Sequence, residues 1–224
     1  RVINAGHKIY NNYLSGLRGD EFRLPLVVMN AVPNSPINRY HKVKDVEIAY
    51  NTFMNCNAAW HLCVGSDDER TDLPENVNIH SNVVYSPQSE NLVMKYDDIK
   101  GISFSDNVLI NKDGLVKEYG GVDTEYQLKS TREGFPVILP EYTSSSSEYI
   151  TTDINGRKRN EQKTVGAFEA NSLSARRFVP NQMNCGPRYE WNRVDPSAQS
   201  IGSIIKIAPG VNTLYEAVKK SSAG

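Results

Sequence analysis

The chain has 224 residues and a mass of 25.1 kDa, which is enough to bury one large hydrophobic core or two small ones. Its 25 Lys and Arg residues nearly balance its 26 Asp and Glu residues, so the formal net charge is −1 at pH 7. A dedicated nucleic-acid-binding domain is usually strongly basic, so charge alone argues against that class. Since no apolar run approaches the ~20 residues that cross a bilayer, no membrane span is predicted.

The N-terminal sequence RVINAG has neither an initiating Met nor the apolar core of a signal peptide. It predicts that the chain is part of a longer product. Shortly after it, Arg18, Gly19 and Asp20 form an integrin-type tripeptide next to a Ser-Gly turn. The tripeptide is a candidate contact for a host surface receptor, although a chance match is the simpler interpretation.

Strand signals dominate from residue 45 onwards. Val46, Ile48 and Tyr50 alternate with polar residues, which is typical of a half-buried strand. The run AAWHLCV at residues 58–64 indicates a more deeply buried strand, with Trp60 and Cys63 in the core. Further short apolar runs are predicted as strands at residues 77–79, 83–85, 92–94, 126–128, 135–139, 149–150, 165–168, 189–191 and 201–207.

A hairpin is the clearest local prediction. The apolar runs 108–110 and 115–116 flank Asn-Lys-Asp-Gly, in which Gly114 supplies the positive φ of a tight turn. Helical periodicity is confined to residues 213–218. About ten short strands, turn residues between them and no repeat of 20–50 residues predict an all-β, antiparallel sandwich or jelly roll forming a single domain over residues 1–224, and argue against propellers and solenoids.

Catalytic signatures are weak. Asp113 with Glu125, Gln127 and Lys129 has the residue types of a metal-dependent nuclease, but a turn and the polar face of a strand explain them as well. The histidines (His7, His41, His61 and His80) are scattered, and the phosphate-binding and nucleophile motifs are absent. We therefore expect no enzymatic activity, no catalytic residue and no cofactor.

Metal binding is also not predicted. The acidic turn formed by Asp67, Asp68, Glu69 and Asp72 lacks the Gly and distal Glu of a calcium-binding loop, so a solvated turn is favoured over an ion site. The three cysteines, Cys56, Cys63 and Cys185, are an odd number without zinc-type spacing.

Two basic clusters are the candidates for nucleic-acid contact. Arg157, Lys158 and Arg159 form one cluster, and Arg176 and Arg177 form the other. Such side chains can contact phosphates without reading sequence, so at most weak, non-specific binding is expected.

Two stretches resemble the capsid proteins of small insect and crustacean parvoviruses (densoviruses). The sequence RYHKVKDVEIAYNTF at residues 39–53, after Pro33 and Pro36, resembles an early jelly-roll strand of that family. The sequence DPSAQSIG at residues 195–202 is similar to the approach to its last core strands. The resemblance implies a jelly roll whose loops build an icosahedral shell around single-stranded DNA.

The sequence therefore favours a structural virion protein, a self-assembling capsid subunit made in the host cytoplasm or nucleus. Its expected partners are copies of itself in a symmetric assembly, with packaged nucleic acid and a host surface receptor as further candidates. The alternatives are a carbohydrate- or protein-binding β-sandwich module and, behind it, the nuclease. Under the capsid hypothesis, the polar loops at residues 143–147, 157–160 and 171–187 are ordered mainly by contacts between subunits.

Overall fold

The computed structural model describes residues 1–19, 24–122 and 147–169, and the backbone of three short strands between residues 128 and 144. These residues belong to one of the chain's two compact units, Arg1–Phe178. In this part of the chain the backbone forms the following strands: β1 (Lys8–Tyr10), β2 (Tyr13–Ser15), β3 (Leu26–Met29), β4 (Lys44–Ala49), β5 (Thr52–Met54), β6 (Trp60–Val64), β7 (Glu75–His80), β8 (Val83–Tyr85), β9 (Val93–Lys95), β10 (Ile102–Ser105), β11 (Val108–Asn111), β12 (Gly114–Leu115), β13 (Leu128–Ser130), β14 (Pro136–Ile138), β15 (Thr143–Ser144) and β16 (Lys163–Thr164).

The first eleven strands wind as a coil. Sheet A has the order β3-β6-β9, sheet B has β1-β4-β7-β10, and sheet C has β12-β11-β8-β5-β2. Along the chain the strands visit sheets B, C and A in turn, and every pair formed between successive coils is parallel. This arrangement is a parallel β-helix with three faces. The prediction of an antiparallel sandwich or jelly roll is therefore wrong, although the all-β class is right.

Among the described residues, antiparallel pairing is confined to three short strand pairs and to two isolated bridges, Ala31↔Asp72 and Thr152↔Lys158. The predicted hairpin is confirmed, because β11 pairs antiparallel with β12 through Ile110↔Leu115 and Asn111↔Gly114. β13 with β14 and β15 with β16 form two further antiparallel pairs. The predicted helix at residues 213–218 lies outside the described residues, and among those described no helix is long and apolar enough to cross a membrane.

Trp60 lies at the centre of the core between the three sheets. Its side chain is completely buried, and its ring is 6.3 Å from the ring of Phe53 and 6.3 Å from that of Phe104. Cys63 is also completely buried in this cluster. The core positions predicted for Trp60 and Cys63 are confirmed.

A ladder of asparagines stacks at the corner between sheets B and C. Asn12, Asn51, Asn82 and Asn107 occupy successive coils, and each side-chain amide donates to the Oδ1 of the next asparagine at 2.8, 3.0 and 3.1 Å. The residue before each ladder position has a φ of 52–55°, which turns the chain sharply from one sheet into the next. Asn11 and Asp106 are of residue types that tolerate this region, whereas Tyr50 and Ser81 rarely adopt it and are held there by the stacked hydrogen bonds.

The ladder ends on backbone instead of another asparagine. Asn107 donates through Nδ2 to the carbonyl of Tyr119 at 3.1 Å and through its backbone N–H to Gly120 at 2.9 Å. A Cβ atom on Gly120 would stand 2.5 Å from the backbone nitrogen of Ser105. Glycine is therefore required where this turn closes over the last coil.

Residues 147–169, here called the strap, lie across the corner that contains the ladder. Ile150 packs against Ala49 and Tyr50, and Val165 packs in the cluster that contains Val83 and Val108. Residues 143–144 pair with β16, and the loop 157–160 is held by contacts within the chain. The prediction that these loops are ordered mainly between subunits is therefore wrong for the residues described here, and residues 171–187 lie outside them.

Candidate functional site

The outer faces of the β-helix present side chains in rows, because parallel strands of successive coils stack about 4.8 Å apart. On sheet A, residues on β3, β6 and β9 in register with one another are Val27, His61 and Met94. Their sequence neighbours Leu26, Val28, Trp60 and Leu62 belong to the core, so the row lies on the outer side of sheet A. Val27 and His61 are nevertheless buried there, and Met94 is 38% exposed. We call this row, with Tyr96 just after β9, the sheet A face.

Tyr96 is the exposed aromatic ring of the sheet A face. Its hydroxyl group lies 2.9 Å from Nδ1 of His61, and the two rings stack with their centroids 5.9 Å apart. Tyr96 is 45% exposed, whereas His61 is 5% exposed. Burial lowers the pKa of His61, and the nearby carbonyl of Ala58 offsets this only in part. The imidazole is therefore uncharged at neutral pH and holds one side of the Tyr96 ring while the other side meets solvent.

Polar side chains gather where the strands of sheet A end. Asn30, which follows β3, donates to Asp97 at 2.9 Å, and Ser66 donates to the same carboxylate at 2.9 Å. Arg70 is paired with Asp67 at 2.6 Å and lies over the ring of Tyr40.

Two atoms of this group are buried without a hydrogen-bond partner in the described part of the chain, Oδ1 of Asn30 and Nε of Arg70. Buried polar atoms are nearly always satisfied, so this pair is unusual, but both atoms are closed to a ligand in this conformation. The exposed Tyr96 ring of the sheet A face is thus followed, at the end of the strands, by a polar group that contains the cation Arg70, paired with Asp67.

A second polar cluster lies on the outer face of sheet B. Glu47 accepts hydrogen bonds from Ser147, from the Tyr149 hydroxyl at 2.6 Å and from Nε2 of His80 at 2.9 Å. Burial alone would raise the pKa of Glu47, but the hydrogen bonds from these three groups outweigh it and lower that pKa. The pKa of Tyr149 is raised by burial and by the Glu47 carboxylate. Glu47 is thus a weak base whose hydrogen bonds attach the strap to sheet B.

The same cluster superficially matches a hydrolase triad. His80 lies between Glu47 and Ser81, whose Oγ is 3.1 Å from Nδ1 of the imidazole. A catalytic serine must reach the substrate, whereas Ser81 is completely buried. The arrangement is therefore structural.

The predicted nucleic-acid cluster does not form one basic surface. Lys158 is exposed, but Arg159 is 4% exposed and its guanidinium donates to Asn11 at 2.8 Å and pairs with Glu169 at 3.3 Å. Arg157 is half-buried. Arg176 and Arg177 lie outside the described residues, so nucleic-acid contact stays an untested prediction.

The structure describes only part of the receptor-type tripeptide. Arg18 is exposed and Gly19 half-buried, whereas Asp20 lies outside the described residues, and the receptor contact remains a prediction.

In the acidic turn, Asp67 pairs with Arg70, and Asp72 pairs with Lys42 at 3.0 Å. The described residues contain no group of three or more His, Cys, Asp or Glu side chains arranged to hold a metal ion.

Comparison with known proteins identifies the family of this β-helix. The family model for chondroitinase B matches residues 1–155, more than half of the chain. The chain belongs to the chondroitinase B family. No curated protein sequence matches the chain.

Solved structures agree with the chondroitinase B assignment. The structure of the PL6 family alginate lyase AlyGC matches with 30% sequence identity and a TM-score of 0.55, over 98% of this chain and 27% of that chain. A point variant of the same enzyme matches with 31% identity and a TM-score of 0.56. The chain thus spans about a quarter of the length of the alginate lyase it matches.

These findings correct the functional predictions made from sequence. A member of the chondroitinase B family is not a densovirus-like capsid protein, so the virion location, the symmetric self-assembly and the packaged nucleic acid lose their basis. The expectation of a non-enzyme is also wrong, because the family and its solved relatives are lyases. Among the nuclease candidates, Asp113 lies in the turn before β12, where its backbone N–H donates to Asn111 at 2.8 Å, and the side chains of Glu125, Gln127 and Lys129 lie outside the described residues.

Proposed function

We propose that this chain is part of a polysaccharide lyase and that its sheet A face binds the acidic polysaccharide substrate. The observation that carries the proposal is membership of the chondroitinase B family, with a fold like that of an alginate lyase. Chondroitin and alginate both contain uronate sugars, so the proposed substrate class is a uronate-containing polymer. The carbohydrate-binding alternative from sequence shares this ligand class but would bind without cleaving.

The chemistry of a uronate lyase explains what such a face must provide. In the elimination a base takes the proton from the carbon beside the sugar carboxylate, and the freed electron pair forms a double bond to the neighbouring carbon. The glycosidic oxygen leaves that carbon and takes up a proton. The substrate carboxylate must be held near a positive charge so that the adjacent proton becomes more acidic. A correctly oriented sugar ring is needed for the same step.

The residues of the sheet A face match the binding part of this task. The exposed side of the Tyr96 ring offers a flat apolar surface for the C–H face of a sugar. Arg70, which is paired with Asp67, is a permanent cation at the end of sheet A where the substrate carboxylate can be held. His61 fixes the orientation of Tyr96 through the 2.9 Å contact to the hydroxyl group.

The test is cleavage and binding of short uronate oligosaccharides, measured by ultraviolet absorbance of the new double bond and by calorimetry. We expect Tyr96→Ala to weaken binding about tenfold, which corresponds to about 1.4 kcal/mol of lost contact, mainly through a higher KM. Tyr96→Phe keeps the ring and should retain most of the affinity. Ser105→Ala, on sheet B, is the remote control and should behave like the wild type.

Three results would count against the proposal. Equal effects of Tyr96→Ala and Ser105→Ala would remove the sheet A face as the binding surface. Binding of oligosaccharide with no unsaturated product would favour the non-catalytic carbohydrate-binding module. Neither binding nor product with alginate and chondroitin oligosaccharides would reject the uronate substrate class.

A further inference from the structure

A cavity lies on the outer face of sheet B, on a different side of the β-helix from the sheet A face. Its volume is about 240 Å³, and it is lined mainly by polar side chains: His7, Lys8, Asp45, Glu47, Asn76 and Asn78. Lys8, Glu47 and Asn78 are in register on β1, β4 and β7, so the cavity runs across three coils. Sites for drug-sized ligands usually enclose about 300–1,000 Å³, so this cavity matches a smaller ligand.

Local backbone strain marks the same cavity. Asp45 and Asn76 have φ values of 53° and 50°, although both lie within strands. The side-chain amide of Asn76 donates to the Asp45 carboxylate at 2.6 Å. The regular pairing skips these two residues, because it passes from Lys44↔Glu75 to Val46↔Val77. Similar φ values occur at the ladder positions, so here the conformation shapes the wall of the cavity and does not by itself mark a binding site.

Two exposed aromatic rings stand beside the cavity. Lys8, which lines it, places its Nζ atom 3.6 Å from the centroid of the Tyr149 ring. Tyr149 meets Tyr10 edge to face with centroids 5.6 Å apart, and the two side chains are 38% and 40% exposed. An exposed aromatic pair next to a polar cavity provides both the apolar and the hydrogen-bonding surface that a sugar ring requires.

We propose that this cavity is a second saccharide-binding site, which takes one sugar ring of the polymer outside the sheet A face. Lys8 supplies the positive charge for a sugar carboxylate, and Asp45, Asn76 and Asn78 supply hydrogen bonds for hydroxyl groups. Glu47 contributes shape, since its oxygens already accept from Ser147, Tyr149 and His80. The identity of the polymer as a uronate rests on the proposed function.

The test measures direct binding of long alginate and of long chondroitin to the protein by calorimetry. We expect Asn78→Ala to lower the affinity for the polymer several-fold, and Lys8→Ala to do so with a weaker dependence on salt concentration. Ser105→Ala, which changes another exposed residue of sheet B, should leave the affinity unchanged. In a Tyr96→Ala background the remaining polymer binding should still fall when Asn78 is replaced.

The outcomes separate this site from the proposed function. If the wild-type protein binds the polymer without cleaving it, and Asn78→Ala weakens this binding, the second site is supported and the lyase proposal is rejected. Polymer affinity that is the same in Asn78→Ala, Lys8→Ala and the wild type overturns the second site. Absence of any polymer binding by the wild type overturns it as well.

Discussion

Asn82 is the interior ladder residue whose replacement tests the fold most sharply. Its Nδ2 donates to the carbonyls of Ile48 at 2.9 Å and His80 at 2.8 Å, and its Oδ1 accepts from the backbone N–H of Asn51 at 2.9 Å. Asn82→Ala removes these bonds and leaves the completely buried Asn51 N–H without this acceptor. One buried N–H without an acceptor costs about 1–3 kcal/mol of stability. With the lost hydrogen bonds to the two carbonyls, we expect the free energy of unfolding of Asn82→Ala to fall by about 2–4 kcal/mol.

Asn12→Ala is the matched control at the outer end of the ladder. Asn12 is exposed, and after its side chain is removed its own backbone N–H still donates to Oδ1 of Asn51 at 3.1 Å. The expected loss is therefore below about 1 kcal/mol. Urea unfolding of both variants measures the change in the free energy of unfolding. It follows from the shift of the urea midpoint, provided that the dependence of this free energy on urea concentration keeps the same slope. Equal losses in the two variants would refute the ladder as a source of stability.

Three further predictions concern the core, a thiol and acid stability. Trp60→Ala should lower the free energy of unfolding by about 3–5 kcal/mol, because it empties the space between Phe53 and Phe104; an unchanged melting temperature would contradict this. Burial raises the pKa of the Cys63 thiol to about 12, so peptide mass spectrometry should show labelling of Cys63 by a thiol reagent only after unfolding. The folded-state pKa of Glu47 is below its ordinary value of 4.5, so its carboxylate stabilises the fold above that pH and loses this effect as the pH falls through the folded-state pKa. Glu47→Gln should therefore reduce the acid-induced loss of stability; a pH profile identical to that of the wild type would contradict the placement of the strap.

Most strands were predictable from local sequence patterns. The alternation at Val46 and Ile48 and the buried run at Trp60 correspond to β4 and β6, and the hairpin was predicted with its turn. These signals depend only on which side of a strand is buried. Each sheet of this β-helix packs one face on the core and leaves the other outward, so it shows the alternation usually associated with antiparallel sheets. The alternation of apolar and polar residues therefore could not show whether the strands pair parallel or antiparallel.

The coil repeat of the β-helix could not be recognised as a fixed sequence period because the coils differ in length. Successive ladder asparagines are 39, 31 and 25 residues apart, so no fixed period exists. The signal that was present is local: Asn12, Asn51, Asn82 and Asn107 each stand two residues before an apolar strand residue and three after another. Aligning the sequence on these asparagines would have revealed the coil.

The candidate site was less predictable than the fold. Tyr96 belongs to no sequence motif. Its ring is oriented by stacking on His61, which lies 35 positions earlier in the chain and comes beside Tyr96 only because the strands coil. Arg159 shows the reverse case, since a basic loop in the sequence proves to hold a buried arginine paired with Glu169. Side-chain direction on the strap depends on tertiary contacts with Asn11 and Tyr50, which no local pattern records.

A crystal structure of the protein with a bound uronate oligosaccharide tests the central claim most directly. We expect a sugar ring against the exposed side of Tyr96, with its carboxylate directed towards Arg70. An oligosaccharide bound elsewhere on the protein while the sheet A face stays empty would contradict it.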